Sequence, residues 1–469
     1  MPATRAKTTT PLARILANTA WLMGGKGFGA LCSIVYLAIL TRTLGLKGFG
    51  HFSLIFSTAQ ALIAIAGFQT WRVVVRYGAS HVHDKDWAAF GRLGMFAGLL
   101  DALGALCGCL LAAVVFFGFA HLLELNENYV AIGFAFCCAQ LWALVSAPTG
   151  MVRALNQFKM AVYVEAVVPM GRLVGALAVW LTGPSVERFL VVWATVDIIE
   201  SIGYWIMAKR LCPQAVRFKY LKDSRQALRE NPGLWRFFLV TFAGSTIDAL
   251  TKNGPLLIVG GVLGTRTAGL YRLASQLSQA LSKFSTMLTR AVYAEISRMR
   301  VASSLQEFQR LAVQTSLIAG AGGLVVVLIA LIAGRSLLGL IGGEAFEGGA
   351  AILVPLAIAA SFDLASVAFE PVLHSTGKAQ LSLTARLIAL GVLGVALALL
   401  IHVGPSGAAW AVTLEAAALY FVMGVMAVFT LRHMRGDEPL QPAEQSIAHD
   451  HPQPPPGSSS ATPAPSTAP

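Results

Sequence analysis

Long apolar runs recur along almost the whole chain, and they constrain the fold more than any other feature of the sequence. Each run is about 20 residues or longer, which is the length that an α-helix needs to cross ~30 Å of hydrocarbon. Of the 469 residues, 56% are hydrophobic and only 12% are charged, whereas soluble domains carry about 25% charged residues. These values exclude a soluble enzyme, a coiled coil and a disordered chain, and they predict an all-α polytopic membrane protein.

The apolar runs predict twelve transmembrane helices and three flanking segments. The predicted spans are 16–40, 52–74, 93–120, 129–150, 161–182, 188–208, 235–263, 268–294, 311–334, 349–372, 380–402 and 407–430. Residues 1–15 are expected to be a cytoplasmic N-terminus, and 209–234 a basic cytoplasmic linker. The segment 431–469, rich in Pro, Ser and Ala, is expected to be a disordered cytoplasmic tail, because such a composition cannot build a packed core.

The charges of the loops predict the orientation in the membrane. The loops after even-numbered spans carry most of the Lys and Arg residues, while the alternate loops carry the carboxylates Glu124, Glu127, Glu187, Glu344 and Glu347. Because cytoplasmic loops are enriched in Lys and Arg, both termini are expected in the cytoplasm. The same rule accounts for the net charge of +12, so nucleic acid is not an expected partner.

Two halves of the sequence resemble each other. The motif Leu44-Gly45 through Phe52 after the first span matches Leu263-Gly264 through Tyr271 after the seventh, with a shift of 219 positions. Gly183-Pro184-Ser185 matches Gly404-Pro405-Ser406 with a shift of 221. Each repeat holds six spans, so both copies enter the membrane in the same direction and their axis runs along the membrane normal. We therefore predict an N-lobe (16–208) and a C-lobe (235–430) around a central cavity.

Polar side chains follow one face of several spans. In the eighth span they recur at steps of four and three residues, which keeps them on one side of a helix; they are Arg272, Gln276, Gln279, Lys283, Thr286 and Arg290. Spans one, two and seven carry polar or small faces at related positions. We expect these four spans to line a cationic cavity suited to a diphosphate, since Arg and Lys bind phosphate oxygens. The candidate substrate-binding residues are Lys26, Gln60, Asp248, Lys252, Gln279, Lys283 and Arg290.

Several of these charges have a plain structural alternative. Asp248 and Lys252 are four residues apart on a helix and can neutralise each other. Arg290 can reach lipid headgroups from the cytoplasmic end of its span, and Arg272 is expected at the opposite interface. The carboxyl groups within other spans can either carry protons or join helices by hydrogen bonds; they are Asp101, Asp197, Glu200, Asp363, Glu370 and Glu415. Glu165 and Arg172, seven residues apart, are a further candidate pair.

No motif for covalent chemistry or cofactor binding is found in the sequence. The cluster Gly24-Gly25-Lys26-Gly27 lacks the first glycine and the Ser or Thr of a phosphate-binding loop. There is no HExxH, no pair of CxxC motifs and no defensible Ser/His/Asp arrangement, and the six cysteines support neither a disulfide framework nor a metal site. We therefore expect a protein that is not an enzyme and has neither a metal nor an organic cofactor.

Four motifs in order resemble those of the bacterial polysaccharide transporters, which include the O-antigen (Wzx-type) flippases. They are Leu40-Thr41-Arg42-Thr43-Leu44-Gly45 with Gly48 to Ser53, Gly67-Phe68 with Val75 to Gly78, Gly150 to Phe158, and Leu263-Gly264 with Ala268 to Tyr271. The resemblance covers about residues 12–432 and places the chain with the multidrug/oligosaccharidyl-lipid/polysaccharide exporters. Many members carry a polar pair where this chain has Pro255-Leu256, and Asp248 with Lys252 could take its place.

The resemblance implies two six-helix lobes and transport of undecaprenyl-diphosphate-linked oligosaccharide to the outer leaflet of the bacterial inner membrane. It also implies that cavity cations meet the diphosphate and that the product serves surface polysaccharide, either lipopolysaccharide or exopolysaccharide. The alternatives are a drug/cation antiporter of the same superfamily and, further away, a membrane-embedded polysaccharide polymerase or ligase. The expected partners are the lipid-linked substrate and membrane lipids. The sugar, the coupling ion and any polymerase or glycosyltransferase partner stay open at this point.

Overall fold

The structure is a computed structural model of the whole chain. It describes residues 11–119, 125–144, 146–298, 305–367, 369–370, 373 and 379–433. Within these ranges only the backbone is described for 11–26, 158–159, 284–298, 305–312, 315, 379 and 431–433. The predicted disordered tail therefore lies outside the described residues, apart from its first three positions.

The N-terminal half of the described chain consists of helices. Those that precede the predicted linker are α1 (Pro11–Ala66), α2 (Trp71–His83), α3 (Trp87–Ala113, continued by a π-turn over Val114–Gly118), α4 (Val130–Trp142), α5 (Ser146–Ala154), α6 (Phe158–Glu165), α7 (Val167–Thr182) and α8 (Val186–Leu211). Two short helices, α9 (Lys219–Lys222) and α10 (Gln226–Glu230), lie in the linker. A 3₁₀ turn over Glu127–Tyr129 precedes α4.

The C-terminal half is also helical. Its helices are α11 (Leu234–Leu263), α12 (Thr265–Arg298), α13 (Leu305–Gly342), α14 (Ala350–Ala365), α15 (Ala379–Leu400) and α16 (Pro405–His433). Short 3₁₀ turns over Glu344–Gly349 and Ile401–Val403 join them. No strand occurs in the described residues, so the all-α fold class is confirmed.

Nine helical segments of the described chain are long and apolar enough to cross a membrane. Each predicted span falls on a helix, but the count differs because α1 joins the first two predicted spans, and α11 and α12 are not among the nine. Both of these helices carry the charged side chains that the sequence assigned to a cavity. Twelve spans in two lobes therefore stays a prediction.

The second predicted span, 52–74, ends early, because α1 stops at Ala66 and α2 starts a new helix at Trp71. The break is stabilised by side chains from elsewhere in the fold. The Thr70 hydroxyl donates to the Asp101 carboxylate at 2.8 Å, and the Trp71 amide donates to the Ser146 hydroxyl at 2.9 Å. These bonds satisfy groups that a helix start leaves without intrahelical partners.

Matching glycines at the two repeats adopt matching conformations. Gly45 turns α1 sharply with φ 64°, and Gly264, its counterpart 219 positions on, ends α11 with φ 84°. Gly183 and Gly404 have φ 117° and 104°. Residues with a Cβ rarely adopt such values, so the sequence repeat corresponds to repeated backbone geometry. We call the part of the bundle around Gly45 and Gly264 the Gly45 end, which the loop charges predict to be outermost.

The two halves meet by close backbone contacts at the Gly45 end. A Cβ on Gly50 would overlap the carbonyl oxygen of Thr265, and one on Gly269 would lie 2.7 Å from the carbonyl oxygen of Leu46. Gly50 and Gly269 are repeat partners, as are Leu46 and Thr265, because both pairs are separated by 219 positions. The same contact is thus made twice, once in each direction across the halves.

A single apolar core extends across this contact and joins the halves. It includes Phe49, whose ring lies 5.9 Å from that of Phe346 in an edge-on arrangement. The Thr41 hydroxyl donates to the Ile341 carbonyl at 3.1 Å, and the Arg42 guanidinium donates to the Leu340 carbonyl at 2.6 Å. Side chains of α1 therefore satisfy carbonyl groups at the end of α13, where a helix leaves its last carbonyls without intrahelical partners.

Candidate functional site

A cavity of about 560 Å³ lies within the C-terminal half. Its wall is formed by five helices, α11, α12, α14, α15 and α16. The polar and charged side chains of the lining are Asp248, Thr251, Lys252, Tyr271, Ser275, Ser278, Gln279, Ser282, Lys283, Asp363, Arg386 and Glu415. Cavities of this size accommodate small-molecule ligands.

Four of the seven predicted binding residues line this cavity. Lys252 and Asp248 come from α11, and Gln279 and Lys283 from α12. The side chains of Lys252, Gln279 and Lys283 are exposed, and that of Asp248 is half-buried. Of the polar stripe predicted on α12, Gln279 and Lys283 line the cavity, whereas Arg272 and Gln276 do not.

The other three predicted residues are not part of the described lining. Gln60 lies half-buried on α1, away from the cavity wall. Lys26 on α1 and Arg290 on α12 belong to helices whose backbone is described there, while their side chains lie outside the described residues. The lining contains no residue of α1, which packs against α11 and α12; the sequence had predicted that spans one and two contribute to a shared wall.

Arg386 is the functional candidate that the sequence reasoning missed. Its guanidinium forms ion pairs with the carboxylates of Asp248 and Glu370, the second at 2.9 Å. Asp248 thus pairs with an arginine 138 positions away and not with Lys252, its neighbour on the helix. Arg386 lies seven residues after the start of α15, near a predicted span boundary, where a basic residue is ordinarily explained by the membrane surface. Only the position of Asp248 on a facing helix distinguishes an arginine of the cavity wall from one at the membrane surface.

The two cavity lysines differ from Arg386 in having no such partner. Within the part of the chain that the structure describes, no ion pair involves Lys252 or Lys283. Lys252 has the Asp363 carboxyl group as an electrostatic neighbour. Two ammonium groups on an open cavity wall provide positive charge that a ligand can use.

The described lining holds as many carboxyl groups as basic groups. Asp248, Asp363 and Glu415 accompany Lys252, Lys283 and Arg386, and these six residues come from five helices. The sequence predicted a net cationic cavity in which Asp248 was the main offset. The difference arises because Asp363 and Glu415, on α14 and α16, reach the same cavity as the stripes of α11 and α12.

A second buried polar cluster lies in the N-terminal half. The Arg172 guanidinium binds both carboxylate oxygens of Asp197, at 2.8 and 2.9 Å, and the Gln140 amide donates to the same carboxylate at 2.5 Å. The Trp193 ring lies 5.6 Å from the guanidinium carbon. The cluster joins three helices, α4, α7 and α8, which fits a structural role.

Two expectations about arginines within the predicted spans are wrong. Arg172 does not pair with Glu165, because Glu165 instead accepts from Arg153 at 3.3 Å. Arg272, expected at a membrane interface, lies between α12 and α1, where its guanidinium is 3.5 Å from the Ser57 hydroxyl and 5.3 Å from the centre of the Phe56 ring. Helix packing between the halves brings it there, and spacing along one helix does not reveal this.

Comparison with known proteins places the fold among membrane transporters. The chain is 24% identical over 330 residues to the inner membrane protein YghQ of Escherichia coli (strain K12), a match that covers 70% of this chain and 92% of that relative. An inward-facing multidrug resistance MATE family transporter of the MOP superfamily superposes with a TM-score of 0.63 at 14% identity, over 86% of this chain and 94% of its own. The lipid II flippase MurJ superposes with a TM-score of 0.62 at 11% identity, over 87% of this chain and 88% of its own. At these identities the two structures show a shared fold.

A family model described as polysaccharide biosynthesis protein matches residues 15–300, which is more than half of the chain. The matched segment runs from the first predicted span through α12, so it includes two helices of the cavity wall. Together with the helical fold and its membrane-spanning segments, this match shows that the chain is a multi-pass membrane protein that belongs to the polysaccharide biosynthesis protein family.

Proposed function

We propose that this protein is a flippase that moves undecaprenyl-diphosphate-linked oligosaccharide from the inner to the outer leaflet of the bacterial inner membrane. The product would serve surface or exopolysaccharide biosynthesis, and the two termini would lie in the cytoplasm. The lipid tail would remain in the bilayer while the polar head crosses through the cavity. The proposal rests on the family to which the chain belongs and on the chemistry of the cavity wall.

The observation that carries the proposal is the pair of exposed lysines on that wall. Lys252 and Lys283 present ammonium groups on α11 and α12 without an ion-pair partner in the described chain. A diphosphate supplies oxygens to both, and hydrogen bonds to charged groups contribute about 1.5–3 kcal/mol each. A ligand without negative charge would add no such charged hydrogen bonds to either ammonium group.

Neutral polar groups complete the wall and suit the sugar part of such a substrate. Thr251, Ser275, Gln279 and Ser282 offer hydroxyl and amide groups that donate and accept. Arg386 would hold the wall in place, because its ion pairs with Asp248 and Glu370 connect α15 to α11 and to the segment that follows α14.

Transport would proceed by alternating access of the cavity to the two sides of the membrane. The sequence repeat and its matching glycines support two lobes, 16–208 and 235–430, related by an axis along the membrane normal. Movement between such lobes requires the paired contacts at the Gly45 end to separate. A polymerase and glycosyltransferases are candidate partners that would consume and supply the substrate.

The proposal is tested by following the sidedness of the lipid-linked oligosaccharide in a strain that lacks the gene and any redundant transporter. The strain is complemented with the wild type, with Lys252→Ala/Lys283→Ala and with Arg266→Ala. We expect the double variant to leave most of the intermediate on the cytoplasmic face, since two charged contacts together represent a change of more than tenfold in affinity.

Arg266→Ala is the matched control, because Arg266 is an exposed cation on α12 that lies outside the cavity. All three proteins must be present at equal levels in the membrane. Normal translocation in the deletion strain contradicts the flippase proposal itself. Full rescue by the double variant contradicts the role of the two lysines and leaves the flippase proposal to be judged from the deletion alone.

A second candidate function is that of a drug/cation antiporter of the same superfamily. The observation that favours it is the presence of three carboxyl groups, Asp248, Asp363 and Glu415, on the same cavity. It predicts efflux of a cationic dye that is lost in Asp363→Asn and unaffected by Lys252→Ala/Lys283→Ala. A polysaccharide polymerase or ligase is the less favoured alternative.

A further inference from the structure

The linker between the two halves is docked onto the N-terminal half by a row of buried side chains. The buried positions recur every three to five residues; they are Ala215, Tyr220, Ser224, Ala227 and Asn231. We call residues 215–231 the docked segment. It contains the short helices α9 and α10 and lies between the end of α8 at Leu211 and the start of α11 at Leu234.

The docking contacts fix the segment against α3 and α2. A Cβ added to Gly91 would lie 2.6 Å from the Tyr220 ring. The aromatic ring therefore packs directly on the backbone of α3. The Arg92 guanidinium forms an ion pair with Glu230, with a second hydrogen bond of 3.1 Å. His81 on α2 shares a hydrogen bond of 3.0 Å with Asn231.

These contacts hold the docked segment at the level of the membrane surface. Gly91 is four residues from the start of α3 at Trp87, which corresponds to about 6 Å along the helix. The segment from Trp87 to Gly118 is one of the candidate membrane spans. The docked segment therefore lies beside the first turns of a membrane helix and does not project into the cytoplasm.

The face opposite the buried row mixes apolar and basic side chains. Phe218 is 89% exposed, and Leu221 and Leu228 are also exposed. Basic side chains alternate with them; the exposed ones are Arg217, Lys219, Lys222, Arg225 and Arg229. The acidic residues of the segment are Asp223 and Glu230, and Glu230 is already paired with Arg92.

We propose that this face of the docked segment binds anionic phospholipids of the adjoining leaflet, with phosphate groups at the basic side chains and Phe218 among the acyl chains. Apolar side chains interleaved with Lys and Arg are the pattern of segments that lie in the plane of a membrane interface. Each Lys or Arg near an anionic surface strengthens binding about fivefold. An acidic protein partner would satisfy the cations, but it would leave Phe218 and the two leucines without an apolar environment.

The test measures binding of acyl-labelled phosphatidylglycerol and phosphatidylcholine to the full-length protein in detergent micelles, by fluorescence polarisation. We expect the wild type to prefer phosphatidylglycerol, and Lys219→Gln/Lys222→Gln/Arg225→Gln/Arg229→Gln to lose at least tenfold of that preference. The matched control is Lys47→Gln/Arg266→Gln, which removes two exposed cations at the Gly45 end and should keep the preference.

A second variant covers the case in which the quadruple variant does not fold. Phe218→Gln removes a side chain that makes almost no contact with the protein. We expect it to weaken the binding of both lipids roughly tenfold without changing the preference for phosphatidylglycerol. A competition with millimolar inorganic phosphate at constant ionic strength distinguishes a lipid site from a site for free phosphate.

The proposal is overturned if the quadruple variant keeps its preference or if the Lys47/Arg266 control loses it equally. Displacement by inorganic phosphate would identify the ligand as a free anion. Unchanged lipid binding by Phe218→Gln would show that Phe218 does not lie among acyl chains. Absence of any preference in the wild type, with an acidic soluble protein retained through these cations, would identify a protein partner instead.

Discussion

The contact between Gly50 and Thr265 offers a direct way to test the proposed alternating access, because this contact would have to separate when the Gly45 end opens. In Gly50→Ala the new methyl group would overlap the Thr265 carbonyl oxygen, and neither group is the end of a flexible side chain. Overpacking a well-packed site costs about 1–3 kcal/mol. Because this destabilisation acts only while the two halves touch, it should favour the state in which the Gly45 end is open by roughly 5-fold to 150-fold.

The shift can be measured as a distance between the halves. Lys47 and Arg266 are exposed, lie at the Gly45 end and are repeat partners 219 positions apart. Nitroxide labels at these two positions, in a background without native cysteines, report the separation by pulsed electron paramagnetic resonance. We expect one dominant short distance in the wild type and a larger population at longer distance in Gly50→Ala.

The control is Gly244→Ala, because a Cβ on Gly244 would meet nothing within 4 Å. A folded Gly50→Ala protein with the distance distribution of the wild type would refute the reasoning. So would an equal shift in Gly244→Ala, since that change adds a methyl group without a clash. Gly269→Ala, in which the gap to the Leu46 carbonyl oxygen is 2.7 Å, should shift the distribution in the same direction by a smaller amount.

Three further predictions concern stability and packing. Asp248→Asn leaves Arg386 with one carboxylate partner, and we expect a destabilisation of about 1–3 kcal/mol, measured as a lower midpoint of thermal unfolding in detergent. Asp101→Ala removes the acceptor of two buried hydrogen bonds of 2.8 Å and should destabilise by about 2 kcal/mol, whereas an unchanged midpoint would show that water replaces the carboxylate. Burial raises the pKa of the Cys212 thiol, so this cysteine should react slowly with maleimide near neutral pH; Tyr220→Ala, which loosens the docked segment, should accelerate the reaction at Cys212.

Composition and periodicity predicted the features that depend on one helix at a time. The length of the apolar runs predicted where helices lie, and the spacing of four and three residues predicted that Gln279 and Lys283 share an open face. The repeat of Gly45 at Gly264 predicted a repeated turn, because a backbone with positive φ is restricted to few residue types. Each of these inferences needs only neighbours within the same stretch of chain.

Features that depend on which helices touch could not be predicted in this way. The partner of Asp248 is Arg386, 138 positions away, and four residues of spacing made Lys252 the nearer candidate. Arg172 likewise pairs with Asp197 on another helix and not with Glu165 on its own chain segment. An ion pair is chosen by the geometry of facing helices, which a single sequence does not contain.

The two halves use similar elements for different tasks. In each half an arginine precedes the repeated Gly-Pro-Ser motif: Arg172 lies 11 residues before Gly183, and Arg386 lies 18 residues before Gly404. The two separations differ by seven residues, which is about two helical turns. The two arginines therefore lie on similar helix faces at different distances from the Gly45 end. Gln140 and an aromatic ring enclose the pair in the N-terminal half, whereas the pair in the C-terminal half adjoins the cavity.

This asymmetry implies that the two halves contribute differently to substrate binding. The contacts that would separate in the proposed transport cycle occur at both repeat positions, because Gly50 and Gly269 each meet the backbone of the opposite half. Among the side chains that the structure describes, the unpaired cations of the cavity wall are not symmetric, since Lys252 and Lys283 both belong to the C-terminal half. Opening of the Gly45 end is therefore expected to respond to substitutions in both halves, more strongly at Gly50 than at Gly269, while substrate binding should respond to substitutions in α11 and α12. A substitution at Gly50 is expected to change the distance between the halves without changing substrate binding. A substitution at Lys283 is not expected to separate the two effects in this way.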